Sequence, residues 1–191
     1  SIQQNDLQRL HPTARVLGVI RPTTEIIGKK TSTNHIGILA TNGTVQSDSY
    51  AIEIEKFFPG VQITQEACPM WVPLVENNEH QSEGADYFVK KHIRNILSKD
   101  AAIDTLLLAC THYPLLKEKI EAQLPSGVQL LSQGEIVAQS LHDYLDRHPE
   151  IEKKISRQGQ RVFYTTDSAD DFTSKASLFF GQPVLGRHVD L

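Results

Sequence analysis

The sequence predicts an α/β protein, a parallel sheet flanked by helices, with one complete domain and part of a second. Three observations carry that prediction. Short apolar runs alternate with amphipathic stretches of 10–15 residues, the pattern of βαβ units. The run at 105–109 (TLLLA) is apolar on every residue but its first, as expected for a strand covered on both faces. Pro-Gly and Pro-Ser-Gly punctuation closes the intervening helices at 59–60 and 125–127.

In chain order, 15–20 (RVLGVI) reads as a buried strand, with Pro22 suited to the first turn of a following helix. Residues 35–40 (HIGILA) make a second strand. A polar turn, Thr41-Asn42-Gly43-Thr44, follows it. Next comes a helix whose Tyr50, Ala51, Ile54, Phe57 and Phe58 form one stripe. A third, weaker strand spans 61–66 (VQITQE). After a Pro-punctuated loop, Ala85, Val89, Ile93, Ile96 and Leu97 mark a long amphipathic helix. Leu116, Ile120 and Leu124 mark the helix after the TLLLA strand. Residues 14–131 are expected to form the complete α/β domain. The segment 132–191 adds a helix at 134–145, a charged surface stretch at 146–160, a strand at 161–165 (RVFYT) and a helix at 167–180. One strand and two helices are too few to close a core of their own, so 132–191 is expected to complete another domain.

Composition narrows the function classes. Nineteen basic against 23 acidic residues leave a net charge of −4, which argues against a dedicated nucleic-acid binder. The apolar runs reach about five residues where a bilayer crossing needs about 20, so no membrane span is expected. Two cysteines, Cys68 and Cys110, make no disulfide framework and point to free thiols in a reducing cytoplasm. The histidines lack metal-ligand spacing, so no metal is expected. The chain has no GxGxxG, GxxxxGK[ST] or GxSxG, which removes the usual nucleotide and serine-hydrolase motifs.

In parallel sheets, ligands bind beyond the carboxyl ends of the strands. Three loops lie there: 41–44, 67–76 and 109–114. In the last, Cys110 ends the most apolar strand, with Thr111 and His112 next and a helix expected to open at Pro114. A helix N-terminus lowers a thiol pKa, His112 can exchange protons near neutrality, and backbone N–H groups with Thr111 can hold a carboxylate. The alternative is an inert cysteine ending a core strand. Thr41 and Thr44 can cap a helix or grip an anion. Cys68 reads as structural packing, and Glu76 as a solvated or capping carboxylate.

Taken together, GVIRPTTEII, IGILATNGTVQSDSY, EACPMWVPLVE, LLLACTHYPLL and VFYTTDSADDF resemble the glutamate racemase family, from about Leu10 to Gly181. ACTHYPLL matches that family's C-terminal catalytic cysteine motif. The resemblance implies an aspartate/glutamate racemase-like fold and cofactor-independent two-base proton transfer at the α-carbon of glutamate. It thus implies an isomerase supplying D-glutamate for peptidoglycan, working in the cytoplasm without pyridoxal phosphate or metal.

Carried over, Cys110 acts on L-glutamate and His112 assists its protonation changes. Glu76 falls where the family's active-site glutamate lies. Thr41, Thr44 and Thr111 bind substrate, and Cys68 has no catalytic role. The resemblance further implies a homodimer in the full-length protein. The family's Asp-Ser-Gly-Gly-rich loop, and its Asn-Thr-Ala motif preceded by the other catalytic cysteine, do not occur here. A fragment equivalent to the C-terminal two-thirds of the family's chain is therefore expected, inactive by itself. Another racemase of the superfamily, acting on aspartate or hydantoins, an inactive binding module of the same fold, and a Cys-His hydrolase are the competing readings.

Overall fold

The computed structural model describes residues 9–10 and 16–190. Four parallel strands form the main sheet: β1 (His35–Ala40), β2 (Gln62–Ala67), β3 (Thr105–Leu108) and β4 (Gln129–Ser132), in the order β2-β1-β3-β4. Parallel pairing is continuous, with Leu39 facing Glu66 on one side and Leu108 on the other. The expected α/β class with flanking helices is the observed one.

Strand alternation sends successive side chains to opposite faces, and here both faces are dry. Ile36, Ile38 and Ala40 of β1, with Leu107 of β3, pack against Ile27, Tyr50 and Ile54. Those three come from α1 (Ile20–Ile27) and α3 (Ser49–Phe57). Leu39, Leu106 and Leu108 point the other way, onto Trp71 and Val75 of α4 (Trp71–Glu76) and Val89, Ile93 and Ile96 of α5 (Glu83–Lys99). The fully apolar β3 follows from this double burial. α5 starts where Ser82 accepts the Ala85 N–H at 3.2 Å and carries Glu83 and Asp86 in its first turn, matching the helix dipole.

Further helices are α2 (Asn42–Gln46), α6 (Lys117–Glu121), which follows a 3₁₀ turn at Tyr113–Leu116, α7 (Gln133–Arg147), α8 (Pro149–Glu152) and α9 (Ala169–Phe180). Beyond α8, β5 (Phe163–Thr165) and β6 (Gly186–His188) pair in parallel as a separate two-stranded sheet. α9 covers one face of it. Gly186 is required there, because a Cβ would stand 2.6 Å from the Phe172 ring.

The structure corrects several expectations. Residues 16–19 carry no strand: Val16, Leu17 and Val19 are exposed, and the chain turns helical at Ile20; Arg15 lies outside the described residues. The turn at 41–44 is itself the start of α2. Part of the loop after β2 is helical, because Pro73 sits in the first turn of α4, where its missing N–H costs nothing. The charged stretch 146–160 contains α8. β4 and β6, which the sequence pattern did not predict, are strands of four and three residues. Among the described residues no helix is long and apolar enough to cross a membrane.

Candidate active site

The strand order fixes where a ligand fits. The connection from β1 leads to β2 on one side, whereas β3 lies on β1's other side. The chain therefore changes direction across the sheet between β1 and β3. A crevice opens at such a point beyond the carboxyl ends. The two loops bordering it begin with Thr41 and with Ala109-Cys110.

The β3 loop is held from below. The Ala109 N–H extends the ladder to the Leu39 carbonyl at 2.9 Å, and the Tyr113 N–H donates to the Cys110 carbonyl at 3.3 Å. Tyr113 is fully buried. Its ring packs edgewise on Trp71 at 4.8 Å, and its hydroxyl donates to the Cys68 carbonyl at 3.1 Å. This fastens the loop after β3 to the loop after β2. Pro114 in the 3₁₀ turn has its own φ fixed by its ring.

On that support, four predicted residues meet. His112 Nδ1 lies 3.9 Å from Cys110 Sγ, and His112 Nε2 lies 3.1 Å from Glu76 Oε1 at the end of α4. The Thr111 hydroxyl reaches the same Nδ1 at 3.4 Å. An ionised carboxylate only accepts, so Nε2 must carry the proton facing Glu76. A neutral His112 then turns a bare Nδ1 lone pair toward the thiol, and a protonated one turns an N–H toward it. The arrangement can therefore pass a proton between sulfur and imidazole while Glu76 fixes the tautomer.

The other predicted residues sit apart. Thr41 caps α2, its hydroxyl accepting the Thr44 N–H at 3.4 Å and standing 3.0 Å from the Thr44 hydroxyl. Among the described residues no hydrogen bond joins either threonine to Cys110, His112 or Glu76. They stand beyond the carboxyl end of β1, the strand next to β3. Cys68 is fully buried, its thiol 3.7 Å from the Glu66 carbonyl, and burial pushes its pKa far above the ordinary thiol value.

Cys110 departs from expectation in one respect. Its pKa is raised, not lowered. Half-burial penalises the thiolate more than the His112 and Tyr113 backbone N–H groups favour it, and the negative charge of Glu76 works in the same direction as burial. The turn after it is a short 3₁₀ segment whose dipole is too small to reverse that balance.

The sequence pattern offered no sign of two further neighbours. Tyr50, read as a core residue, lies close enough for Cys110's charge to raise its pKa alongside burial; its hydroxyl takes an N–H from Gln133. Phe179 of α9 stands 4.9 Å from the His112 ring, centroid to centroid. A cavity of about 340 Å³ opens beside the pair, lined by Glu76, His112, Thr165, Asp167, Lys175 and Phe179 among others.

The chain resembles known proteins along most of its length. The Asp/Glu/Hydantoin racemase family model matches residues 6–141. The chain is 36% identical over 177 residues to a glutamate racemase of Lactiplantibacillus plantarum, covering 92% of this chain and 64% of that protein. It thus spans just under two thirds of that relative's length. The crystal structure of the glutamate racemase isoform RacE1 from Bacillus anthracis superposes with a TM-score of 0.82 at 30% identity, covering 99% of this chain and 70% of that one. The Thermus thermophilus glutamate racemase, crystallised with beta-chloro-D-alanine, gives 0.72 at 28% identity over 97% of this chain and 66% of that one. A match of this extent to the family model, with relatives above 30% identity over nearly the whole chain, means that the chain belongs to the Asp/Glu/hydantoin racemase family.

Proposed function

We propose that this chain supplies one half of a glutamate racemase site, with Cys110 as the thiol acting on one face of the substrate α-carbon. In one direction the Cys110 thiolate removes the α-hydrogen of L-glutamate. In the other its thiol delivers a hydrogen to the same face, with His112 exchanging the proton and Glu76 holding His112. Thr41, Thr44 and Thr111 offer hydroxyls to the substrate's carboxylates from the rim of the crevice. The observation that carries the reading is the Cys110–His112–Glu76 chain of contacts at the sheet's direction change, in a fold shared with glutamate racemases.

Racemisation needs a second base on the opposite face. Of the two cysteines in the sequence, Cys68 is sealed in the core and cannot serve. The matched part is, on this reading, the C-terminal two-thirds of the family's chain. Residues 14–131 form one domain, and 132–191 belong to the domain that brings the second thiol; the separate β5–β6 sheet supports that division. Free thiols suit a cytoplasmic enzyme feeding cell-wall synthesis. The full-length protein pairs as a homodimer, which sedimentation velocity tests directly.

The test of function joins this chain to the N-terminal third of the L. plantarum relative and assays both enantiomers of glutamate and aspartate. Interconversion of glutamate that vanishes in Cys110→Ser is the expected result. Turnover of aspartate alone, or glutamate activity untouched by Cys110→Ser, overturns the reading.

A further inference from the structure

His112 has a fourth neighbour, supplied by a helix much later in the chain. α9 lines the cavity beside Glu76 and His112 with Phe172, Lys175, Ala176 and Phe179, a spacing that places all four on one helical face. Phe179 stands nearly perpendicular to the imidazole, centroids 4.9 Å apart and planes at 79°, the edge-to-face arrangement that aromatic quadrupoles favour. The contacts of the imidazole nitrogens to Cys110 and Glu76 fix two points of the ring and leave it able to rock about the line between them. An aromatic ring packed across it removes that freedom. The adjacent Phe180 does something else: it packs on Phe163 at 5.8 Å and lies under the Arg161 guanidinium.

We propose that Phe179 is a positioning residue for the Cys110–His112 pair: it holds the imidazole with Nδ1 toward Cys110 and Nε2 toward Glu76. The C-terminal helix, as well as the main sheet, then sets the proton partner of the site thiol. This rests on the reading of Cys110 and His112 given above. Phe179 is 39% exposed, so removing its ring opens no sealed core cavity.

The test is the rate of Cys110 alkylation by iodoacetamide against pH in the 191-residue chain, read by mass on the Cys110 peptide. Circular dichroism checks the fold of each variant. The wild type is expected to differ from His112→Gln, which loses the imidazole altogether. Phe179→Ala is expected to move the profile toward that of His112→Gln, lowering the rate at pH 7 about threefold to tenfold, as an apparent pKa rise of about half to one unit gives. Phe179→Tyr restores the wild-type profile, and Phe180→Ala leaves it unchanged. Should Phe179→Ala not fold, Phe179→Leu, which keeps bulk without a ring, is read in its place and shows the same displacement. A Phe179 variant that superposes on wild type, or a Phe180→Ala that moves the profile equally, overturns the proposal. Coincident wild-type and His112→Gln profiles would sink the His112 assignment and this inference with it, whereas a His112 dependence indifferent to Phe179 sinks this inference alone.

Discussion

Glu76 and His112 are 36 residues apart in the chain and 3.1 Å apart in space, and the bond between them leaves the other imidazole nitrogen facing Cys110. The end of α4 thus decides which tautomer the β3 loop presents. Glu76→Gln keeps the shape but supplies an amide that can donate as well as accept, so the tautomer is no longer specified. In the fusion with the relative's N-terminal third, turnover should fall on the order of a hundredfold, the scale of one acid–base contribution. KM should change far less. A variant with wild-type kcat would detach Glu76 from the chemistry.

The two sulfurs should report separately. Native protein is expected to give one thiol reactive toward Ellman's reagent, Cys110, and two after denaturation, because Cys68 is fully buried. The Cys110 reaction should have its midpoint at a pH above that of an unhindered cysteine, the direction in which half-burial and Glu76 push it. A midpoint below the ordinary thiol value would contradict the burial argument.

Glu66 near the end of β2 should carry part of the acid stability, alongside Asp100 and Asp104, whose hydrogen-bonded carboxyls are also held below their ordinary values. Its side chain is 8% exposed and takes hydrogen bonds from Lys99 at 2.6 Å, Asn95 at 3.2 Å and His92 Nδ1 at 2.7 Å. Burial works to raise its pKa, but those donors outweigh it and hold the carboxyl below its ordinary value. A depressed carboxylate stabilises the fold above the unfolded-state pKa, and that stabilisation is lost as pH falls through the folded value. Thermal denaturation should therefore show Tm falling on acidification below about pH 4.5, the ordinary carboxylate range. Glu66→Gln, which strips the charge from this buried cluster, should cost about 3 kcal/mol at neutral pH and make the acid limb shallower, with Asp100 and Asp104 supplying the rest.

Gly37 tests the packing under the crevice. A Cβ there would stand 2.3 Å from a Leu106 methyl and 2.9 Å from one of Ile96, so β1, β3 and α5 close on each other through its missing side chain. Gly37→Ala should destabilise by about 1–3 kcal/mol, the usual cost of overpacking, measurable in urea as a lower midpoint with unchanged slope.

Much of this architecture was legible because double burial leaves strong apolar signatures. β1, β3 and α5 stand within a residue or two of where the pattern put them. The failures have physical reasons. Residues 16–20 have a strand's composition, but Val16, Leu17 and Val19 are exposed and pair with no strand among the described residues, and Ile20 joins the Pro22 helix. β4 is an edge strand, half-buried and only four residues long, so it shows little alternation. At the site, the nearness of Cys110 and His112 was written in adjacent residues. The distance from His112 to Glu76, and all of Phe179's involvement, depend on how separate elements pack, which no local pattern records.

The burial of Cys68 has a consequence under peroxide. Sulfenic acid forms where a thiolate meets solvent, so oxidative lesions should accumulate on Cys110 while Cys68 stays reduced until the fold opens. On the reading of Cys110 as the site thiol, that sulfur would be oxidised long before the shape is lost, and a mild reductant would reverse the sulfenic acid.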